Sequence, residues 1–186
     1  QLDMDDSYDL GQQFFAWEMA TAVASHVLGV QPVDQPNVES AKVAGRAALA
    51  TFRKTGSLEG DAPPDLSSGA FEAFLNQAEA GDYVSLHVYA NSSPDLDGIL
   101  ERLRLWTRAQ YRIATTVGYA PRLRHSTGQL HKGDRGNGIF VQLLSEAKGD
   151  VPIPDDVGGQ ESTVSFGVLE QAQALGDAEA LLGAER

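Results

Sequence analysis

Residues 83–90 constrain the fold more than any other part of the chain. Val84, Leu86, Val88 and Ala90 alternate with Tyr83, Ser85, His87 and Tyr89, the period-two pattern of a β-strand. On the polar face, His87 reads as a packing histidine. Residues 91–94 follow as a turn, with Ser93 placed to cap a helix and Pro94 to open it. That helix is expected to reach about Val117. Leu96, Leu100, Leu103 and Trp106 would point inward, and Arg104, Arg108 and Arg112 would form a solvated outer ridge. Gly138–Leu144 is short and apolar, which predicts a second, buried strand. Strands that alternate with helices predict an α/β layered fold with a mainly parallel sheet. Two strands are few for such a fold, so either a third is poorly marked or the chain is a fragment.

The rest of the pattern is helical. Phe14, Phe15, Trp17, Met19, Ala20, Val23, Val27 and Leu28 leave residues 8–28 almost no polar face, which predicts a buried helix. Ser7 or Asp9 could cap it, Gly29 could end it, and His26 sits near its C-terminal dipole. A second helix is expected over 36–53, opened by Pro36, with Ala41, Val43, Ala44, Ala47, Ala48 and Leu49 forming a small face suited to close packing. Residues 55–70 are turn formers and acids, a mobile surface loop rather than a domain boundary. A short helix is expected over 71–80, a loop over 147–163 and a final amphipathic helix over 165–182. No internal repeat is visible.

A length of 186 residues suits one domain. With 42% apolar residues and a mean hydropathy of -0.25, the composition is that of a soluble globular protein. No apolar run approaches the roughly 18 residues of a membrane span, and no signal peptide is visible. The chain opens on Gln1 and an acidic lead-in, and reads as a piece of a longer polypeptide. The absence of cysteine excludes thiol catalysis, disulfides and cysteine-ligated zinc, and is compatible with the cytoplasm. A net charge of -12 repels nucleic acid and anionic membranes.

One stretch opposes that field. Arg122, Arg124, Lys132 and Arg135 stand against the single acid Asp134, four minus one, for a local charge of +3, with His125 and His131 among them. The cluster is a candidate anion site or a basic loop paired with acidic neighbours. The histidines can titrate near neutral pH. Ser126 and Thr127 supply hydroxyls, and Gly128 permits close backbone approach. The turn at 133–138 lacks a phosphate-loop pattern and reads as hairpin-like. His125 and His131 lie six apart with no nearby third ligand, so no metal or other cofactor is expected.

A second constellation lies at the mouth of the 36–53 helix. Gln35, Glu39 and Lys42 are spaced by four and three, which places them on one face. A helix N-terminus attracts anions. A surface ion pair between Lys42 and Glu39 is the simpler alternative.

Val33-Asp-Gln-Pro-Asn-Val-Glu-Ser-Ala-Lys42 resembles the signature of phosphoglucose isomerases, with Val33 in place of an aromatic and Asn37 in place of glycine. Residues 118–133, reading Gly-Tyr-Ala-Pro-Arg-Leu-Arg-His-Ser-Thr-Gly-Gln-Leu-His-Lys-Gly, resemble the C-terminal part of bifunctional transaldolase–phosphoglucose isomerases, as do residues 15–42 and Phe166-Gly-Val-Leu-Glu-Gln-Ala-Gln-Ala-Leu-Gly-Asp177. Asp134 replaces a second glycine. The resemblance covers most of the chain outside the 55–70 loop. It implies a sugar isomerase (SIS) domain, a three-layer α/β/α sandwich, and interconversion of glucose 6-phosphate and fructose 6-phosphate.

By the same resemblance Lys42, His125 and Gln35 are the catalytic candidates, with His131 an alternative acid–base group. Glu39, Arg124, Ser126, Thr127, Gln129, His131 and Lys132 would bind substrate. No residue matches the family's C2 base, a glutamate of a preceding sugar isomerase domain. Glu39 could imitate it, but a helix cap or a partner for Lys42 is the favoured role. The expected partners are the sugar phosphate, the upstream sugar isomerase and transaldolase domains, and a possible second copy in a homodimer. The alternative is a non-catalytic sugar-phosphate-binding or regulatory domain.

Overall fold

The structure, a computed structural model, describes residues 4, 6–58, 68–145 and 149–183. Most of the expected 55–70 loop lies outside them. The chain forms two units, residues 1–35 and 36–186.

The first unit is built on helix α1, Ser7–Leu28. Asp6 caps it, accepting from the Tyr8 and Asp9 amides, while the Asp9 carboxylate accepts from the Asp6 amide. This reciprocal box satisfies amides that the helix leaves unpaired. Gly29 ends the helix at φ 68°, where only glycine is unstrained. The expectation of a buried helix is overturned: Ser25 alone is buried, and Phe14, Phe15 and Trp17 are each more than 60% exposed. An apolar circumference calls for a covering surface but does not supply one. Within this unit Pro32 and Val33 line a shallow crevice with Phe14, Trp17, Glu18, Thr21 and Ala22 of α1.

The second unit is α/β. Its order is α2 Pro36–Thr55, α3 Ser68–Leu75, β1 Tyr83–Tyr89, α4 Pro94–Tyr111, β2 Ala114–Tyr119, a 3₁₀ turn Arg122–His125, α5 Thr127–Gly133, β3 Gly138–Leu144, β4 Pro152–Ile153, β5 Val164–Ser165 and α6 Phe166–Gly183. The main sheet is parallel, in the order β2-β1-β3. Leu86 is in register with Val117 and Val141. β4, inside the stretch expected to be loop, pairs antiparallel with β5 just beyond it, so Ser165 lies in a strand and the final helix begins at Phe166.

The third strand was hidden inside the predicted long helix. α4 stops at Tyr111, not near Val117, because Arg112 takes a left-handed conformation at φ 56° and its amide closes on the Arg108 carbonyl. A non-glycine residue in that role leaves no composition signal. The same shift corrects two further expectations. The basic segment follows a strand rather than a helix and is itself helical, and residues 133–138 join α5 to a parallel strand rather than turning a hairpin.

Helices cover both faces of the sheet. Val84, Leu86, Ile139 and Val141 pack with Leu75 of α3 and with Leu103 and Tyr111 of α4. The opposite face meets α5 and α6. α2 lies against α6 at very short range: a β-carbon on Gly176 would sit 2.5 Å from the Ala41 carbonyl oxygen and 2.6 Å from the Gly45 nitrogen. Only glycine fits there. Among the described residues, no helix is long and apolar enough to cross a membrane.

Candidate functional site

The α2 mouth and the 122–133 segment are far apart in sequence and joined in space. The side chain of Gln129 accepts from the Val38 amide at 3.3 Å and donates to Asn37 Oδ1 at 2.7 Å. Asn37 Nδ2 donates to the Lys132 carbonyl at 3.0 Å. Gln129 thus acts as a cap supplied from another element, satisfying a first-turn amide of α2. Its amide is committed to the fold.

Behind this junction lies a buried charge cluster. Asp177 of α6 is 1% exposed. Tyr89, at the carboxyl end of β1, donates its hydroxyl to Asp177 Oδ2 at 2.5 Å. Arg124 Nη2 lies 3.3 Å from the same oxygen, and Lys132 Nζ lies 3.1 Å from Oδ1. The Lys132 approach has the length of an ion pair without the direction of a hydrogen bond; among the described residues neither Lys132 Nζ nor Asp177 Oδ1 has a hydrogen-bond partner. Burial alone would raise the Asp177 carboxyl. The charge of Lys132, the Tyr89 hydrogen bond and Arg124 outweigh it and hold the group below its ordinary range. Burial and the adjacent carboxylate push the Tyr89 phenol far upward, so it stays a donor.

Next to this cluster, His87 of β1 and His131 of α5 stack with ring centroids 5.0 Å apart, and Nε2 of one lies 3.1 Å from Nδ1 of the other. Such a bond needs one donor and one acceptor. Burial, then the neighbouring His131 and Lys132, push His87 down to about 4. Burial and Lys132 also lower His131. On the other side of His131, Tyr83 donates to Asp134 at 2.5 Å.

The candidate residues therefore divide. Arg124, His131 and Lys132 are buried, with Arg124 and Lys132 engaged by Asp177. Gln129 caps α2, and the Ser126 hydroxyl donates to the Leu123 carbonyl, closing the 3₁₀ turn. His125 and Thr127 are exposed just beyond the carboxyl end of β2, the sheet edge at which open α/β folds bind ligands. Gly128 closes on Leu123, whose carbonyl oxygen would lie 3.0 Å from an added β-carbon.

Lys42 is 34% exposed and stands 3.9 Å from Glu39. The closer partner of Glu39 is Arg46, at 2.7 Å, and this hydrogen bond is the main cause holding its carboxyl low. Gln35, half-buried, is the last residue of the first unit.

Sequence reasoning missed Asp177 and Tyr89. The signal for Asp177 was present: it falls three residues after Ala174 and four before Leu181, both buried, so a charge interrupts the inward stripe of α6. For Tyr89 the signal was the alternation of β1, whose second face is buried too. Comparison with known protein families, with curated proteins and with solved structures yields no match.

Proposed function

We propose that the chain forms part of the active site of a glucose-6-phosphate isomerase. In this reading it is the C-terminal sugar isomerase (SIS) domain, of three-layer α/β/α type, in a polypeptide fused to transaldolase. The observation that carries the reading is the direct junction of the two segments that resemble that family, through Asn37 and Gln129. Residues that contribute to one site must meet, and these two segments lie some ninety positions apart.

The chemistry follows from the residue types. Opening the sugar ring requires a proton to pass between the ring oxygen and the C1 hydroxyl, the work of an exposed group such as the His125 imidazole. Lys42 holds negative charge as it develops on oxygen, and Gln35 lies near the reacting carbons by resemblance. The isomerisation step needs a base at C2. By the resemblance that base is a glutamate of the upstream sugar isomerase domain; Glu39 here pairs with Arg46. The chain alone is expected to show little or no isomerase activity.

The test is glucose 6-phosphate isomerisation by the full parent polypeptide and its Lys42→Ala form. A loss of about two decades of turnover is expected for a removed charge-stabilising group, and unchanged turnover overturns the reading. A non-catalytic sugar-phosphate-binding domain is the second reading, favoured by the pairing of Glu39 with Arg46 and of Asp177 with both buried cations. Binding of glucose 6-phosphate without turnover by the parent polypeptide would select it.

A further inference from the structure

We infer that Gly176 and Asp177, adjacent on α6, are the positioning pair of this site: they set the helix that carries Lys42 against the segment that carries His125. The inference rests on the isomerase reading above. On one side, Gly176 lets α6 touch the backbone of α2 at Ala41, the residue before Lys42, with no room for a β-carbon. On the other, Asp177 holds Arg124, the residue before His125, and Lys132, at the far end of the same segment. Both oxygens of one carboxylate are used, Oδ2 for Arg124 and Tyr89 and Oδ1 for Lys132. The 3₁₀ turn and α5 are thereby pinned at two points that bracket His125, Ser126 and Thr127.

Surface pairs would not serve this purpose, because two long exposed side chains are free to slide. Here Lys132 and Asp177 are each 1% exposed and Arg124 is 9% exposed. Moving either cation away from the buried carboxylate would take it from its counter-ion in the interior, a costly change. Asp177 touches no substrate in this account; it acts through the two segments it ties.

The test has an activity arm and a distance arm. In the full parent polypeptide, Asp177→Asn is expected to lower kcat for isomerisation by about one to two decades, the scale of an ångström-level misplacement. The pH profile of kcat/KM should also move, because the surroundings of His125 change. A purely structural role would reduce the amount of folded enzyme and leave the profile of the survivors unchanged. In the distance arm, cysteines replace the exposed Val43 and Leu130 of this cysteine-free chain and carry spin labels. Asp177→Asn should broaden the distance distribution between α2 and α5.

If Asp177→Asn does not fold, Asp177→Asn with Lys132→Met keeps the buried charge surplus at one and should show the same broadening and the same loss. Unchanged kcat, profile and distances overturn the inference alone if Lys42→Ala and His125→Ala still lower turnover by about two decades. Full turnover in those two variants overturns the isomerase reading and the inference with it.

Discussion

The two faces of strand β1 are built on different physics. Val84 and Leu86 meet α3 and α4 through apolar contact alone. His87 and Tyr89, one residue out of phase, meet α5 and α6 through a hydrogen bond to His131 and another to Asp177. Both faces are buried to a similar degree. The apolar face asks for volume and no particular direction, so it accepts many side chains of the right size. The polar face asks for partners at fixed distances, and a half-satisfied network is worse than none. The strand is thus permissive on one side and exacting on the other, and the candidate catalytic segment rests on the exacting side.

The sharpest break of this contrast is Asp177→Ala. It strands Lys132 and Arg124 in the interior, and a loss of about 3–5 kcal/mol is expected by denaturant unfolding. A loss below about 1 kcal/mol would mean that the cations find water, and that the face is less dry than its burial indicates.

Acid comes next. His87 is held near 4 in the fold against an ordinary value of 6.5. The unfolded chain therefore binds the proton first, and stability rises with pH through that interval. The contribution is complete above about 6.5, fades as the pH falls, and is gone near 4; it is worth on the order of 3 kcal/mol. Urea titrations between pH 4 and 7 should show this slope, and His87→Gln, which keeps a polar partner for His131, should flatten it.

The apolar face should respond least to a change of shape. Leu86→Met is expected to cost under about 1.5 kcal/mol, whereas Leu86→Ala should cost about 2–5 kcal/mol because a cavity remains. An equal cost for the two would show that this face, too, is specified in detail. Smallest is Gln129→Ala, which removes the borrowed cap of α2 for about 1 kcal/mol, read as a shift in denaturation midpoint at constant m-value.

Much of this architecture was legible in the sequence. The alternation of β1, the apolar run of β3, and the Ser93–Pro94 start of α4 are local signals, and each element formed where those signals lie. β2 was not legible, because Arg112 ends α4 in a conformation that sequence assigns to glycine. The β-branched run Thr115-Thr-Val117 was the remaining hint. The exposed α1 shows the limit of a helical pattern, which reports what a surface prefers and not what it meets.

The basic cluster was visible as charge, but its division was not. Arg124 is buried because a carboxylate 53 positions away turns inward beside it, a pairing that no spacing encodes. His125, its neighbour, stays at the surface. Which of two adjacent residues faces solvent is decided by the 3₁₀ turn, which the sequence reading took for loop.

The backbone contact at Gly176 has a consequence for tolerance to change. Helix propensity alone recommends alanine there, by about 1 kcal/mol. The seam with Ala41 and Gly45 reverses that preference, because any added carbon must push apart two main chains rather than bend a flexible side chain. In a library randomised at every position of α6, position 176 should keep glycine and nothing else, while the exposed Gly183 two turns on accepts most residues. Such a scan would read the seam as an invariant column beside the constrained Asp177, in contrast to the freely variable exposed end of the helix.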